Sequence, residues 1–439
     1  MSRLGRNVML GIGGAIAALA VTVGRGEHKA VPGNVGAAEM TAGSGAVGGS
    51  SSSSTSTTTT TTTTTTSVML PPSKRLVVDP NATVDLEKME LRGDRYVAPM
   101  SDGRMAVLTL DVRLQEAAEK VLDRSKAPRG AVVVTDRDGK ILALAGRRTA
   151  DPKGGKDGIV DRSLALEAWA PAASIFKVVS AAAMVEHGAR GSDKVCFHGG
   201  VRSVMESNLV DSKKDRRCED LSYGLAHSQN AIIAKVAHKR LEPTDLADAA
   251  GRFGFGKPLP FPAPAQFGTV TMPADKGVPF GRTAAGFEGV TLSPLGGAML
   301  AGTIAHGGVA PTPTLVAAYL DGDRETPARP MPAPRRVLDE NVATEVAAMM
   351  TETCKEGSAA RAFNGREKIR DISVAGKTGT LSENQPVYTQ YSWFVGFAPA
   401  SKPTLTISVL LGNAELWHLK AHTAARTVLA EGLRPRAGT

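Results

Sequence analysis

Short runs of apolar residues predict two β-hairpins in the chain. The stretch GAVVVTDRDGKILALAG places two such runs on either side of a polar turn at residues 136–139, which predicts strands over residues 131–134 and 141–144. Both strands are apolar on successive positions, so we expect them to be central and buried on both faces. The stretch WFVGFAPASKPTLTISVLLG predicts a second hairpin that turns at about residues 399–403.

Helical periodicity appears beside these hairpins. After a short strand, Leu114, Ala118 and Leu122 fall on one apolar stripe, and Asp111 precedes it as a candidate N-cap. A second helix is predicted from about residue 420 to residue 431. Strands at both ends with helical material between them predict an α+β domain, in which distant parts of the chain close one sheet.

The N-terminal quarter has a different pattern. Basic residues precede an uncharged run at residues 7–24, which is typical of an export signal and reads here as an uncleaved anchor, with a cleaved signal peptide as the alternative. Residues 25–73 are rich in Gly and Ala and then in Ser and Thr, and too polar to bury a core, so we expect a disordered linker. A short lead-in at 74–105 and a folded domain at 106–439 complete the predicted organisation.

Composition narrows the functional classes. The 439 residues are 42% hydrophobic, and 52 basic against 43 acidic residues give a net charge of +9. No run of five or more like charges occurs, which argues against a nucleic-acid partner. No CxxC pair occurs, and the helical spacing of Glu415, His418 and His422 lacks further ligands, so we expect no metal.

Three cysteines leave the redox state open. Cys196 and Cys218 bracket a polar stretch and form a disulfide candidate if the protein is exported, with Cys354 left over. Three reduced thiols are the alternative.

Three short motifs carry the candidate chemistry. In PAASIFKVVSAAA, Ser174 and Lys177 are spaced to share one face of a predicted helix that ends near Gly188. Serine needs a base to become a nucleophile, and lysine can serve only when burial or another cation lowers its pKa. Ser228 and Asn230 precede an apolar helical run, where Asn230 taken alone would be an ordinary N-cap.

The third motif is KTG. Its residues Lys377, Thr378 and Gly379, followed by Thr380, come at the predicted end of a strand. The ordered set SxxK, SxN and KTG resembles the penicillin-binding transpeptidases, and the segments that begin TLDVRLQ, GAVVV, LSPLGG and WFVGF add to the resemblance over most of residues 106–412. The long interval between the second and third motifs is similar to that of the high-molecular-mass synthases. Ala173 and Ile175 depart from the Gly and Thr more usual there.

This resemblance implies a β-lactamase-like fold, in which helices flank a central antiparallel sheet beside a mostly helical subdomain. It implies that Ser174 attacks a D-Ala-D-Ala stem peptide and that Lys177 takes its proton. Ser228 would relay a proton to the leaving amine. Substrate-binding roles fall to Asn230, Lys377, Thr378, Gly379 and Thr380, with the backbone N–H groups of Ser174 and Thr380 as the oxyanion hole.

The implied activity is that of a peptidoglycan D,D-transpeptidase that binds penicillin covalently and needs no cofactor. Expected partners are stem peptides, β-lactams, the inner membrane and cell-wall synthesis proteins, in the cell envelope, either anchored facing the periplasm or secreted to it. A D,D-carboxypeptidase or β-lactamase is the hydrolytic alternative, although no ExxLN stretch lies between Ser228 and Lys377. A third possible function is that of a catalytically weak sensor of peptidoglycan or penicillin.

Overall fold

The computed structural model describes residues 79, 81–150, 158–201, 203–365, 369 and 372–435. Every described residue lies within Pro72–Thr439, which forms one compact unit. The predicted anchor at 1–24 and linker at 25–73 lie outside the described residues. None of the described helices has the length and apolar character needed to cross a membrane.

The described part of the chain contains both strands and helices. The strands are β1 (Glu90–Arg92), β2 (Arg95–Pro99), β3 (Met105–Leu108), β4 (Arg129–Asp136), β5 (Ile141–Thr149), β6 (Gly158–Val160), β7 (Ala170–Pro171), β8 (Lys194–Phe197), β9 (Arg217–Asp220), β10 (Thr291–Leu292), β11 (Val309–Ala310), β12 (Val316–Asp321), β13 (Arg324–Pro327), β14 (Arg335–Arg336), β15 (Ala375–Glu383), β16 (Thr389–Ala398) and β17 (Leu405–Asn413). The α-helices are α1 (Val112–Ser125), α2 (Lys177–Glu186), α3 (Leu221–Ala226), α4 (Asn230–Arg240), α5 (Pro243–Phe253), α6 (Val278–Ala284), α7 (Pro294–Ala305), α8 (Glu340–Lys355), α9 (Ala360–Phe363) and α10 (Ala421–Gly432). Short 3₁₀ turns cover Leu86–Lys88, Arg162–Ala165, Ala173–Ile175 and Glu206–Asn208.

A six-stranded antiparallel sheet, in the order β15-β16-β17-β4-β5-β6, forms the centre of this unit. Both predicted hairpins are confirmed, since β4 pairs with β5 and β16 pairs with β17. Strand β17, from the C-terminal part of the chain, pairs with β4 and so closes the sheet between distant segments. The KTG motif lies on β15, at one edge of this sheet.

The sheet is covered on both faces, which explains the continuous apolar runs. On β4, Ala131 and Val133 pack into a core with α2 and α7, whereas Val132 and Val134 pack into a second core with α1 and α10. Side chains that alternate along a strand point to opposite faces, so a strand between two helical layers needs apolar residues at every position. Both predicted helices, α1 and α10, are confirmed, and the Asp111 carboxylate accepts the N–H of Leu114 as its cap.

A second sheet departs from the sequence expectation. Its order is β1-β2-β3-β12-β13, so the predicted lead-in at 74–105 pairs through β3 with β12, about two hundred residues further along the chain. The short strands of this lead-in carry too few alternating positions to be recognised from the sequence. The lead-in is therefore part of the folded unit.

Candidate active site

Ser174 lies in the tight turn that leads into helix α2. The turn Ala173–Ile175 is a 3₁₀ turn, and α2 begins at Lys177, so the helix predicted to begin at the serine starts three residues later. Ala173 has a φ of 49°, in the left-handed region that L-residues rarely occupy. Gly286 packs against the Ala173 carbonyl so closely that a Cβ at position 286 would lie 2.0 Å from its oxygen.

Hydrogen bonds from two neighbouring strands hold the residues that precede this turn. Pro171, in β7, accepts a hydrogen bond of 2.9 Å from the indole Nε1 of Trp393, which is 1% exposed and lies on β16. Strand β7 also pairs with β10. The nucleophile candidate is thus placed beside the edge strand β15, because its preceding residues are hydrogen-bonded to two other strands.

Lys177 lies beneath the serine with no exposed surface. Its Nζ is 2.6 Å from Ser174 Oγ, 2.7 Å from Asn230 Oδ1 and 2.7 Å from the carbonyl oxygen of Ala285. Burial lowers the pKa of Lys177 well below its ordinary value, and the nearby charge of Lys377 lowers it further. No carboxylate offsets this burial among its recorded contacts, so the amine can act as a base.

The SxN motif supplies a serine and an amide to the same centre. Ser228 occupies a left-handed backbone conformation with a φ of 57°, just before helix α4. The alternative interpretation of Asn230 as an ordinary N-cap is wrong, since the side chain that caps α4 is that of Gln229, which accepts the N–H of Ala231. The Asn230 side chain does not cap the helix, and its Nδ2 donates to the carbonyls of Gly200 and Val201.

The KTG motif approaches from the sheet edge. Lys377 is the third residue of β15, so the motif lies inside a strand and near its start, not at its end as expected. The Lys377 Nζ donates to Ser228 Oγ at 3.0 Å and to the carbonyl of Thr378 at 2.9 Å. Burial of the Lys377 side chain lowers its pKa to about 7.

Gly379 lets β15 lie against the serine turn. A Cβ at this position would lie 3.2 Å from Ile175 Cγ1 and 3.4 Å from Ala173 Cβ. Thr380 follows on the same strand and is exposed. All three motifs therefore converge on one centre. Hydrogen bonds join Lys177 to Ser174 and to Asn230, and a separate hydrogen bond joins Lys377 to Ser228.

Two further groups were not found from the sequence. Ser358, just after α8, shares a hydrogen bond of 2.6 Å between its Oγ and the Oγ1 of Thr378. The Ala285 carbonyl contacts Lys177 through its backbone, so no side chain could have signalled it. Ser358 belongs to no recognisable motif, and only its place beside β15 identifies it.

The structure also shows where the cysteines lie and where Glu415, His418 and His422 lie. Cys196 and Cys218 face each other on β8 and β9 and form a disulfide, while Cys354 is free and buried, which raises the pKa of its thiol. Glu415 and His418 precede α10, and only His422 lies in it, so the supposed helical spacing does not exist. Among the residues that the structure describes, no group of three or more His, Cys, Asp or Glu is arranged for a metal ion.

Comparison with known proteins agrees with this arrangement. The family model for the penicillin binding protein transpeptidase domain matches residues 130–431. The peptidoglycan D,D-transpeptidase PbpA of Mycobacterium tuberculosis is 26% identical over 333 residues, which is 70% of this chain and 66% of that protein. Stage V sporulation protein D of Bacillus subtilis is 24% identical over 348 residues, which is 74% of this chain and 52% of that protein. The chain thus spans between about half and two thirds of these relatives.

Solved structures show the same fold. Penicillin-binding protein A of M. tuberculosis, as its ceftriaxone acyl-enzyme, superposes with a TM-score of 0.63 at 23% identity, over 76% of this chain and 80% of that one. The D,D-transpeptidase domain of a peptidoglycan glycosyltransferase from Eggerthella lenta gives a TM-score of 0.59 at 24% identity, over 75% and 83%. The predicted fold class is confirmed. With more than half of its residues matched by the family model, the chain belongs to the family of penicillin-binding protein transpeptidase domains.

Proposed function

We propose that this protein is a peptidoglycan D,D-transpeptidase that works through an acyl-enzyme on Ser174 and that binds penicillin covalently. The observation that carries the proposal is the placement of a fully buried lysine amine 2.6 Å from the serine oxygen. The similarity to a peptidoglycan D,D-transpeptidase and to a penicillin-binding protein of Mycobacterium tuberculosis supports the substrate class.

The partners of Lys177 determine which way its proton can move. A neutral amine has two N–H donors and one lone pair. The Asn230 Oδ1 and the Ala285 carbonyl can only accept, so they take both donors. The remaining lone pair then faces the Ser174 hydroxyl, which must donate to it. This hydrogen-bond pattern is that of a general base acting on a nucleophile.

In the proposed acylation, Ser174 Oγ bonds to the carbonyl carbon of the penultimate D-Ala. The bond from that carbon to the nitrogen of the terminal D-Ala then breaks. The serine proton passes to Lys177, and the departing amine takes a proton through Ser228, whose Oγ accepts from Lys377. An amine of a neighbouring stem peptide would later bond to the ester carbonyl carbon, and the bond from that carbon to Ser174 Oγ would break. Oγ would regain its proton from Lys177, while the amine would give up a proton through Ser228.

Charge and donors for the substrate come from β15. The Lys377 ammonium and the Thr378 hydroxyl would hold the terminal carboxylate, since charge-assisted hydrogen bonds are the strong ones. The backbone N–H groups of Ser174 and Thr380 would hold the developing oxyanion, where loss of one donor typically costs on the order of 3 kcal/mol of barrier. Lys377 also keeps Lys177 neutral by like-charge repulsion.

Ser174→Ala tests the nucleophile. Fluorescent penicillin should label the wild-type full-length chain with one equivalent, and the label should be lost in Ser174→Ala because Ser174 Oγ is the hydroxyl placed to give its proton to Lys177, whereas Ser228 Oγ accepts from Lys377. Circular dichroism should show both proteins folded alike. Labelling that persists in the alanine variant would refute the assignment.

A donor and acceptor assay separates transfer from hydrolysis. A D-Ala-D-Ala stem peptide is incubated with and without an amine acceptor, and the products are identified by mass spectrometry. We expect a crosslinked product in the presence of acceptor. Release of D-Ala without crosslinking would indicate a D,D-carboxypeptidase. Rapid turnover of penicillin would indicate a β-lactamase, and slow labelling with no peptide product would indicate a sensor.

We further propose that the protein works outside the cytoplasm, anchored or secreted by its N-terminal segment. The Cys196–Cys218 disulfide supports export, because such bonds persist in oxidising compartments. Cell fractionation with an antibody to the folded domain would test this. Recovery in the cytosolic fraction would contradict it.

A further inference from the structure

Three polar side chains lie outside the reaction described above: two belong to the segment that the Cys196–Cys218 disulfide closes, and the third lies on helix α4. Asp215 Oδ1 is 2.5 Å from His198 Nδ1, and its Oδ2 is 2.6 Å from Lys235 Nζ. The side chains of Asp215, His198 and Lys235 are only 5%, 16% and 7% exposed. We call these three residues the loop anchor.

The loop anchor fixes the course of the closed segment. Lys235 also donates to the carbonyl of Cys196 at 2.8 Å, and His198 Nε2 lies 3.0 Å from Ser207 Oγ. The carbonyl of His198 accepts from Asn208 Nδ2 at 2.8 Å. Both ends of the segment and its middle are thus tied together by side-chain hydrogen bonds in addition to the disulfide.

This segment reaches the active site through two carbonyl groups. Asn230 Nδ2 donates to the carbonyls of Gly200, at 2.7 Å, and Val201, at 3.2 Å. Gly200 has a φ of 72°, and a Cβ there would lie 2.5 Å from the Cβ of Ala231. The segment therefore lies against the first turn of α4, and Lys235 ties it to the same helix one turn further on.

The orientation of the Asn230 amide depends on these carbonyls. An amide presents donors on one side and an acceptor on the other, and carbonyls can only accept. With Nδ2 committed to Gly200 and Val201, Oδ1 must face Lys177. If the amide turned over, Nδ2 would instead face Lys177 and compete with Ser174 for its lone pair.

We propose that His198, Asp215 and Lys235 are positioning residues for the general base, since they hold the closed segment so that Asn230 presents its oxygen to Lys177. This inference rests on the proposed function. Neither the serine nor the substrate is expected to touch the three residues, so they act only through Asn230.

Asp215 keeps its charge at neutral pH. Burial opposes ionisation of Asp215, but hydrogen bonds from His198 and Lys235 outweigh burial and lower its pKa to about 2. Removing one partner of a buried pair leaves an uncompensated charge and is strongly destabilising, whereas removing both charges is often tolerated. The test therefore uses the double variant Asp215→Asn/Lys235→Met.

The experiment measures the rate constant and stoichiometry of fluorescent-penicillin labelling of the full-length chain across pH. We expect the double variant to label fully but more slowly at pH 7 by roughly 10- to 100-fold, because misplacement of catalytic groups by about 1 Å has effects of that order. Glu219→Gln is the matched control, since it removes a surface ion pair with Arg217 beside the same disulfide and should leave the rate unchanged.

The pH profile distinguishes positioning from mere stability. A loosened segment admits water to Lys177, so the pKa of that amine rises from the low value set by burial and by Lys377, and the variant's deficit should shrink at higher pH. A fold defect would instead reduce the labelled fraction equally at every pH. The Cys196→Ala/Cys218→Ala variant, which loosens the same segment without altering a charge, should show the same shift.

An unchanged rate constant in the double variant, or a lower labelled fraction with a normal rate, would overturn the positioning role. If the double variant does not fold, the cysteine variant decides by the same criteria. Failure of the wild-type chain to label at Ser174 would instead overturn the proposed function, so the two failures are distinguishable.

Discussion

At the scale of single residues, the two buried amines need opposite protonation states for the proposed reaction. Lys177 must be neutral to accept the serine proton, while Lys377 must be charged to hold a carboxylate. Both are completely buried, and the loss of solvation is the main cause that lowers the pKa of each amine.

We therefore predict a bell-shaped pH dependence of penicillin labelling. The rate rises as Lys177 loses its proton and falls as Lys377 loses its own, which places the alkaline limb near pH 7 in the free protein. Lys377→Arg should remove that limb, since a guanidinium stays charged. Lys194→Arg, at an exposed position, is the control. A profile that keeps its alkaline limb in Lys377→Arg would contradict this assignment.

A second residue-scale prediction concerns Gly286. Gly286→Ala should destabilise the fold and slow labelling, because the new Cβ would lie 2.0 Å from the Ala173 carbonyl, next to the nucleophile. Gly322→Ala is the control, with a φ of 59° and nothing within 4 Å. The control should cost only the left-handed backbone penalty of about 1–2 kcal/mol. Equal losses of thermal stability in the two variants would show that the contact is unimportant.

At the scale of elements, two helices offer a direct comparison of their caps. Asp111 precedes α1 and accepts the N–H of Leu114 at 3.1 Å, whereas Asp339 precedes α8 without a side-chain cap bond. The same substitution therefore removes a hydrogen bond at one helix and none at the other. Helix α1 packs against the sheet beside α10, so its start bears on the second core.

We predict that Asp111→Ala lowers the free energy of unfolding by about 1 kcal/mol and that Asp339→Ala lowers it by much less. Urea denaturation of the full chain, with equal m-values, is the measurement. A larger loss in Asp339→Ala would mean that the recorded cap bond does not stabilise α1.

At the scale of the whole molecule, the number of free thiols shows whether the chain has formed its disulfide. The Cys196–Cys218 disulfide closes the loop beside the active site, and Cys354 is 2% exposed. Protein isolated without reductant should titrate one thiol in denaturant. In the native state it should react slowly, because burial raises the pKa of the Cys354 thiol. Three thiols in denaturant would contradict both the disulfide and export.

Local chemistry made several elements predictable. The hairpin at residues 136–139 and helix α1 follow from turn residues and apolar spacing, which act over a few neighbours. The lead-in strands β1 and β2 did not follow, since they are too short to show an alternating pattern. The short strand predicted before α1 corresponds to β3, but only the tertiary structure decided that its partner is β12. The start of α2 was also misjudged, because the left-handed φ of Ala173 depends on its contact with Gly286.

The sequence by itself determined the chemical groups of this protein: a serine and a lysine three residues apart, a serine and an amide before an apolar helix, and a lysine in an apolar strand. Only the tertiary structure decided what those groups do to one another. It placed Asn230 between Lys177 and Gly200 instead of at a cap, and it brought Ser358 and the Ala285 carbonyl to the centre. The physical reason is the distance along the chain over which each interaction acts. Periodicity and turn chemistry act locally, whereas the solvation of an amine and the orientation of an amide depend on segments that meet only when the core packs.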